Sequence, residues 1–299
     1  MLVTLQVFTL LLVSQAAWSK SIAMVLWRGE TEAEKGFKEQ LTLMGYTPHF
    51  TIFNAEQNKT TLGKILRVDL RPHLDQYDYI YTFGTTISKA TQQTLNGKKP
   101  HLFNIVADPI GAGLVSHQRG GTKNIAGSSN AVDHEALIKA AKTKLALTTL
   151  AVPFNPKEKN SKLQLNQITT LGEKYGYKTI PVRVNPDKNI YLDNIKTILQ
   201  QPNIDAVYFL PDSFMISHSK HIMPLLTSAQ LPTICSTAKY IKNGCFMGIG
   251  ADYYTLGKQV AILLDRHAKS GEALESMAIQ FDQTPRLLIN EKTQQALGM

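Results

Sequence analysis

The feature that most constrains the fold is a strand–turn–helix–strand pattern over residues 79–115. The apolar, β-rich run Tyr79–Phe83 stops at Gly84, and a helical segment then extends from Thr85 to about residue 95. A second apolar run follows over His101–Val106. Two strands separated by a helix of this length predict a βαβ unit, which belongs to a parallel sheet.

The turn at the start of this helix is the first candidate binding element. In open parallel sheets, ligands bind beyond the carboxyl ends of the strands. Thr85 and Thr86 stand at that position, beside unpaired helix N–H groups and the positive end of the helix dipole, which suit a carboxylate or a phosphate. An N-cap role alone would also explain Thr86, and the residues leave both roles open.

Strands and helices alternate along the chain in two series of similar size, which meet near Ala131. Among the helices are segments expected over residues 62–74, 161–175 and 222–228. The chain has 299 residues, of which 43% are hydrophobic and 18% charged, so it is too long for one small core and too apolar for disorder. This pattern predicts two α/β lobes, whose strand ends would face each other across a shared cleft.

The N-terminal segment predicts export. Residues 2–18 carry no charge and have an apolar centre over residues 7–13, and Ala17 and Ser19 supply small side chains at the positions a signal peptidase reads. We therefore expect a signal peptide over residues 1–19, although it lacks Lys or Arg at its start. Its apolar centre is too short for a membrane span. Because no cysteine lies near the cleavage site, we expect no lipid anchor there. The simplest destination is the bacterial periplasm.

The two cysteines, Cys235 and Cys245, allow two interpretations. An even count in an exported protein favours a disulfide. Two buried free thiols are equally compatible with the sequence, because the sequence does not supply the Cα separation that a disulfide requires.

Several classes of function are disfavoured by the motifs that the sequence lacks. The net charge is +9, but the lysines are scattered and form no basic arm, so we expect no nucleic-acid partner. No nucleophile elbow, phosphate loop or complete dinucleotide fingerprint occurs. His218 and His221 have no third candidate ligand nearby, which favours surface histidines over a metal site. We therefore expect a binding protein with no catalytic residues, no metal and no cofactor, while an exported α/β enzyme stays the alternative class.

Several motifs together resemble a known family. Their order and spacing are similar to those of ABC-transporter solute-binding proteins that take up tryptophan and other aromatic amino acids. The motifs are FGTTISKAT (residues 83–91), FNIVADPIGAGLV (103–115), GSSNAV (127–132), FNPKEKNS (154–161), LPDS (210–213) and GADYYTLG (250–257). The resemblance spans nearly the whole mature chain.

The resemblance implies a type I periplasmic-binding fold, with two Rossmann-like lobes, parallel sheets and three crossovers between the lobes. Lobe 1 would comprise residues 20–130 and 251–281, and lobe 2 would comprise residues 131–250 and 282–299. It also implies a monomer that captures a small polar molecule, such as an aromatic amino acid, and delivers it to an ABC permease. The same fold can instead serve as a sensor that docks to a chemoreceptor or a histidine kinase.

The carboxylate of such an amino acid would bind at two helix starts. Thr85 and Thr86, with the adjacent helix amides, suit this role in lobe 1, and Asn160 and Ser161 suit it in lobe 2.

The ligand ammonium would need a carboxylate. Asp212, followed by Ser213 at a strand end of lobe 2, is the first candidate. Asp252 and Asp108 are rivals, although Pro109 directly after Asp108 favours a structural turn there.

Three further residues could contact the ligand. Trp27 and Phe214 follow strands and either stack on an aromatic ligand or pack beneath loops. Arg28 is placed to clamp an anionic group with two hydrogen bonds. The loop from Trp27 to Glu32 lacks the His-Pro and Asp that aromatic-amino-acid receptors usually carry, so the ligand of this chain could differ from theirs.

Overall fold

Our computed structural model describes residues 18–299, so all but the last two residues of the predicted signal peptide lie outside the described residues. Over residues 18–299, no helix has both the length and the apolar character needed to cross a membrane. The strands are β1 (Trp18–Leu26), β2 (Tyr46–Asn54), β3 (Tyr79–Phe83), β4 (His101–Val106), β5 (Ile125–Ser129), β6 (Thr149–Phe154), β7 (Lys178–Arg183), β8 (Ala206–Phe209), β9 (Thr233–Cys235), β10 (Met247–Gly250), β11 (Gln280–Phe281) and β12 (Arg286–Ile289). The α-helices are α1 (Glu32–Leu43), α2 (Lys59–Lys64), α3 (Thr85–Leu95), α4 (His134–Lys142), α5 (Lys159–Tyr175), α6 (Tyr191–Lys196), α7 (Ser213–Ser228), α8 (Ala238–Lys242), α9 (Tyr253–Ser270) and α10 (Glu291–Ala296).

The strands form two six-stranded sheets, one in each lobe. Their orders are β11-β5-β4-β3-β1-β2 in lobe 1 and β12-β10-β9-β8-β6-β7 in lobe 2. The strand pairs are parallel, apart from β10 and β12, which pair antiparallel at one edge. Two α/β lobes with parallel sheets, as predicted, are confirmed.

Three crossovers join the lobes, as the predicted fold requires. The chain leaves lobe 1 after β5 and returns after β10, and it crosses once more between β11 and β12. On the return, α9 packs tightly on α1 of lobe 1. A Cβ atom at Gly36 would lie 2.1 Å from the Tyr254 carbonyl oxygen, and one at Gly257 would lie 2.0 Å from that of Ala33. Glycine at both positions allows the backbones of the two helices to approach closely.

The lobe cores consist of the apolar strand residues and the inward faces of the helices. Ile22, Met24 and Tyr81 are among the fully buried side chains of lobe 1, and Phe209 and Phe246 are among those of lobe 2. Burial on both faces of the sheets explains why these strands read as continuous apolar runs rather than alternating ones.

Three helices differ from their predicted limits. The segment expected to be helical over residues 62–74, up to an interruption at Pro72, comprises α2, a π-helical turn over Ile65–Leu70 and a 3₁₀ segment over Arg71–Gln76. Pro72 lies at the start of the 3₁₀ segment, where it interrupts the helical hydrogen bonding as expected. Helix α5 begins two residues earlier than predicted, and α7 begins nine residues earlier, at Ser213. The earlier starts bring Glu158 and Asp212 to the N-cap positions of these helices.

Of the two interpretations of the cysteines, the structure has the disulfide. Cys235 at the end of β9 and Cys245 before β10 are joined, with a Cα–Cα distance of 6.5 Å. Both residues are fully buried in lobe 2, so the bond ties two neighbouring strands of its sheet.

Candidate ligand-binding cleft

A small cavity lies between the lobes, where the carboxyl ends of both sheets meet. The space between its walls is about 370 Å³, including volume that is open to solvent. Lobe 2 contributes Glu158, Asn160, Pro211, Ser213 and Ile216 to its walls, and the opposite wall includes Trp27, Arg28, Gly84, Thr86, Ile105 and Asn130.

Strand register explains the wall from lobe 1. Leu26 of β1 pairs with Phe83 of β3, and Phe83 pairs with Asn104 of β4, so the three residues form one line across the sheet. The cavity is lined by the next residue of each segment, namely Trp27, Gly84 and Ile105. The site therefore lies directly beyond the carboxyl edge of this sheet, where ligands of parallel sheets bind.

Trp27 and Arg28 are both in the cavity wall, as their positions after β1 predicted. The indole Nε1 of Trp27 donates to the Glu158 carboxylate at 3.3 Å, which links the two lobes. The Arg28 guanidinium lies 5.2 Å from the centre of the Phe83 ring, a cation–π distance. Arg28 thus brings a positive charge to a cavity with an aromatic wall.

The threonine pair lies at the start of α3. Gly84 holds the N-cap position with φ +89°, and no side chain caps this helix. Thr86 therefore does not act as the N-cap. Both threonines line the cavity, and the Thr86 Oγ1 atom is buried without a hydrogen-bond partner among the described residues.

Glu158 is the principal cavity residue that the sequence did not suggest. Its carboxylate accepts from the Ser213 backbone N–H at 3.1 Å as well as from Trp27, and the residue is 3% exposed. Burial raises the pKa of Glu158, while the hydrogen bond from Ser213, that from Trp27 and the charge of Arg28 oppose the rise. The sequence signal for Glu158 is an acidic residue directly before a helix. This signal was missed, because α5 was expected to begin at Ser161 and not at Lys159.

Asp212, the predicted ammonium ligand, lies behind the cavity wall. It is 0% exposed, and its Oδ1 atom accepts from the Met215 backbone N–H at 2.9 Å as the N-cap of α7. Its neighbours Pro211 and Ser213 line the cavity, whereas Asp212 does not. Burial and then the nearby Glu158 charge hold the pKa of Asp212 well above its usual range. Two adjacent buried carboxyl groups disfavour simultaneous ionisation.

Of the other lobe 2 candidates, Asn160 lies in the cavity wall, whereas Ser161 and Phe214 do not. Asn160 lines the cavity and donates from Nδ2 to the Pro211 carbonyl at 2.7 Å. Ser161 is buried, and its hydroxyl accepts from the Asn155 backbone N–H at 2.9 Å. Phe214 is buried in lobe 2, where its ring stacks on His218 with a centroid distance of 4.2 Å.

The two rival aspartates accept hydrogen bonds from local backbone and do not line the cavity. Asp108 accepts from the Gly111 backbone N–H at 2.8 Å within its own turn, in keeping with the role that Pro109 indicated. Asp252 is the N-cap of α9, accepting from the Tyr254 backbone N–H at 3.0 Å, and lines a wider surface groove. Neither is in the cavity wall.

Two buried polar atoms of cavity-lining residues have no hydrogen-bond partner among the described residues. They are Thr86 Oγ1 and Asn130 Oδ1. Buried polar groups in native proteins are nearly always paired, so this concentration marks a place where a polar ligand would supply partners. Across residues 18–299, no group of three or more His, Cys, Asp or Glu is arranged to hold a metal ion.

Two α/β lobes joined by three crossovers around a polar cavity define the type I class of periplasmic-binding folds. Residues 22–299 match the family model of ABC transporter substrate binding proteins, so the chain belongs to this family. The family resemblance of the sequence motifs is thereby confirmed. The family is one of solute-binding proteins and not of enzymes.

Individual relatives agree with this assignment. A tyrosine-binding protein from Clostridioides difficile strain R20291 is 24% identical over 275 residues, which cover 90% of this chain and 77% of the relative. A Streptococcus pneumoniae ABC domain in complex with L-Trp superposes with a TM-score of 0.81 at 20% identity, covering 93% of this chain and 95% of that one. A conserved domain protein from Vibrio cholerae gives a TM-score of 0.83 at 21% identity, covering 94% and 95%.

Proposed function

We propose that this protein binds an amino acid with an aromatic side chain in the inter-lobe cavity, outside the cytoplasm, and delivers it to an ABC importer. One observation carries the proposal. The cavity combines a buried carboxylate from lobe 2, Glu158, with a guanidinium and two hydroxyls from lobe 1, contributed by Arg28, Thr85 and Thr86. Groups of these types match the ammonium and the carboxylate of a free amino acid.

Glu158 binds the ligand ammonium in this proposal. It is the carboxylate in the cavity wall, and its pKa is raised by burial, so an ammonium would relieve the cost of ionising it. Asp212 lies behind Glu158 and does not contact the ligand. The ammonium role is thereby moved from Asp212, the residue favoured by the sequence, to its neighbour.

The ligand carboxylate binds at the start of α3. The hydroxyl of Thr86 needs a partner, the first N–H groups of the helix are free of side-chain caps, and Arg28 supplies a full positive charge. Helix starts with such donors are common anion sites.

The side chain of the ligand lies against the apolar part of the wall. Trp27, Phe83, Ile216 and Tyr253 line the cavity, and aromatic surfaces of this kind suit an aromatic ring. The tyrosine-binding relative and the L-Trp complex support the aromatic choice.

Ligand binding is coupled to closure of the lobes. The Trp27–Glu158 hydrogen bond joins the lobes inside the cavity. Outside the cavity wall, Lys159 of α5 donates to the Ala112 carbonyl of lobe 1 at 3.4 Å, and Lys89 of α3 donates to the same oxygen at 2.9 Å. A ligand that contacts both walls would favour this closed arrangement over an open one.

Export and delivery complete the proposal. The predicted signal peptide supports secretion to the periplasm, and membership of the ABC substrate-binding family supports a membrane permease as the partner of a monomeric receptor.

Thermal-shift measurement and calorimetric titration test the proposal. L-Tryptophan, L-tyrosine and L-phenylalanine should raise the melting temperature, because a ligand that binds only the native state stabilises it. L-Glutamate and inorganic phosphate are the comparison ligands. Stabilisation by phosphate with no response to any amino acid would refute the proposal and would indicate a receptor for anions.

A further inference from the structure

Ile105 has a backbone conformation that is unusual for its residue type. Its φ angle is +55°, in the left-handed region that β-branched residues avoid for steric reasons. The pairing of β4 with β5 shifts register between Phe103 and Val106, so Ile105 lies in a bulge. Conformations of this kind persist where the surrounding structure enforces them, and they concentrate at ligand sites.

A buried chain of hydrogen bonds holds the bulge. The Asn104 Oδ1 atom accepts from the Ile105 backbone N–H at 3.0 Å and from the Ser128 hydroxyl of β5. Asn104 Nδ2 donates to the Tyr81 hydroxyl at 2.8 Å, and that hydroxyl donates to Glu34 at 2.7 Å. These four polar residues are all buried, and the chain reaches from β5 through β4 and β3 to helix α1.

Glu34 connects this chain to the loop that carries Trp27 and Arg28. The second oxygen of Glu34 accepts from the backbone N–H and the hydroxyl of Thr31, both at 2.7 Å, in a capping box at the start of α1. The bulge and the loop after β1 are therefore positioned against each other through one set of buried hydrogen bonds. Both elements supply residues to the cavity wall.

The bulge places Ile105 in the cavity wall. Ile105 follows Asn104, the last residue in register with Phe83, and lines the cavity while being 5% exposed. Its side chain brings no polar group to the cavity, so it suits the side chain of an amino acid rather than the charged end.

We infer that Ile105 is a specificity-determining residue, held by the Asn104 hydrogen bonds so that its side chain limits the space available to the ligand side chain. The inference rests on the proposed amino-acid function. Selection by such a wall depends on the size of the ligand side chain, since one methylene group changes discrimination about 10- to 200-fold in a tight apolar pocket.

The backbone part of the inference is tested without a ligand. Ile105→Gly should melt about 2–4 °C above Ile105→Ala, because glycine tolerates positive φ and alanine does not. The matched control is Ile52 in β2, a half-exposed strand residue outside the cavity. There the order should reverse, because glycine weakens a regular strand. Equal melting of the two Ile105 variants, or the order seen at Ile52, would overturn the inference.

The specificity part is tested with L-tryptophan and L-leucine as probes. In Ile105→Ala, the ratio of the leucine Kd to the tryptophan Kd should rise at least tenfold, because only the larger side chain fills the added space. Glu158→Gln is the comparison variant, and it should weaken both ligands by similar factors because it acts on their shared ammonium group.

The outcomes separate this inference from the proposed function. If titration of the wild-type protein detects no binding of L-tryptophan, L-tyrosine or L-phenylalanine, the proposed function and the specificity role are both overturned. If the wild-type protein binds these ligands but Ile105→Ala leaves the ratio of the leucine Kd to the tryptophan Kd unchanged, only the specificity role is overturned. This holds even if both affinities fall, because loss of a purely structural residue would weaken both ligands alike.

Discussion

Replacing Glu158 with glutamine is expected to weaken amino-acid binding strongly while leaving the fold intact. Glutamine keeps the shape of the side chain, and its oxygen can still accept the hydrogen bonds from Trp27 and Ser213. The ligand ammonium, however, loses the charged partner in the cavity wall. Truncating one partner of a buried, hydrogen-bonded charge pair costs about 2–5 kcal/mol.

The structure places the expected effect of Glu158→Gln in the lower part of that range. The Glu158 charge is one cause of the raised pKa of Asp212, so its removal favours ionisation of Asp212 behind the cavity wall and restores part of the negative potential. We therefore expect the Kd to rise roughly 30- to 300-fold.

Calorimetric titration with L-tryptophan at pH 7 measures this loss, and thermal unfolding without ligand checks the fold. Glu173→Gln is the matched control, because Glu173 is an exposed residue in the last turns of the same helix, α5. It should leave the affinity unchanged. An unaltered Kd in the Glu158 variant would refute the ammonium role and return it to Asp212.

Three further predictions concern stability and export. Asp212→Asn should stabilise the ligand-free protein, because it removes a buried carboxyl group that is costly to ionise, while asparagine caps a helix as well as aspartate does. The pKa of Asp212 is raised in the folded protein, so the free energy of unfolding of the wild type falls as the pH rises toward that pKa. The gain in unfolding free energy from Asp212→Asn, measured by urea unfolding, should therefore be larger at pH 8 than at pH 5, and an equal gain at both would contradict this reasoning. Reduction of the Cys235–Cys245 bond, which closes a loop of sequence separation 10, should lower the free energy of unfolding by about 3 kcal/mol. Two titratable thiols in the unfolded, unreduced protein would show that no disulfide forms. N-terminal sequencing of the periplasmic fraction should find a mature chain that begins near Lys20, and an intact Met1 in the membrane fraction would refute export by a cleaved signal peptide.

The sequence was most informative where local chemistry determines the structure. Gly84 ends β3 and permits the positive φ that precedes α3, and this placed the threonine pair correctly beside the cavity. Pro109 indicated that Asp108 belongs to a turn, and Asp108 does accept from the backbone of that turn. Apolar runs predicted the buried strands of both sheets, because burial on two faces requires continuous apolar sequence.

The sequence was least informative where distant segments determine the role of a residue. Glu158 follows an irregular segment, and nothing local indicates that Trp27, 131 positions earlier, donates to it. Ile105 reads as an ordinary strand residue, because its positive φ depends on Asn104 and Ser128, the latter on a neighbouring strand. Asp212 was found by its position after β8, but the depth of its burial depends on how α7 packs, which the short predicted helix did not include.

The two buried carboxyl groups also indicate how, under the proposed function, the loaded form of the cleft would differ in energy from the empty form. In this structure Glu158 and Asp212 are both buried, and the Glu158 charge raises the cost of ionising Asp212. Opening would return Glu158 to water, since Trp27 of the opposite lobe is one of its two hydrogen-bond donors. Closure without a ligand therefore carries an electrostatic cost that a bound ammonium removes. A ligand shifts an open–closed equilibrium only by its difference in affinity for the two states, and this pair provides such a difference for cationic groups. A neutral molecule of the same shape would leave that cost in place and would favour closure less.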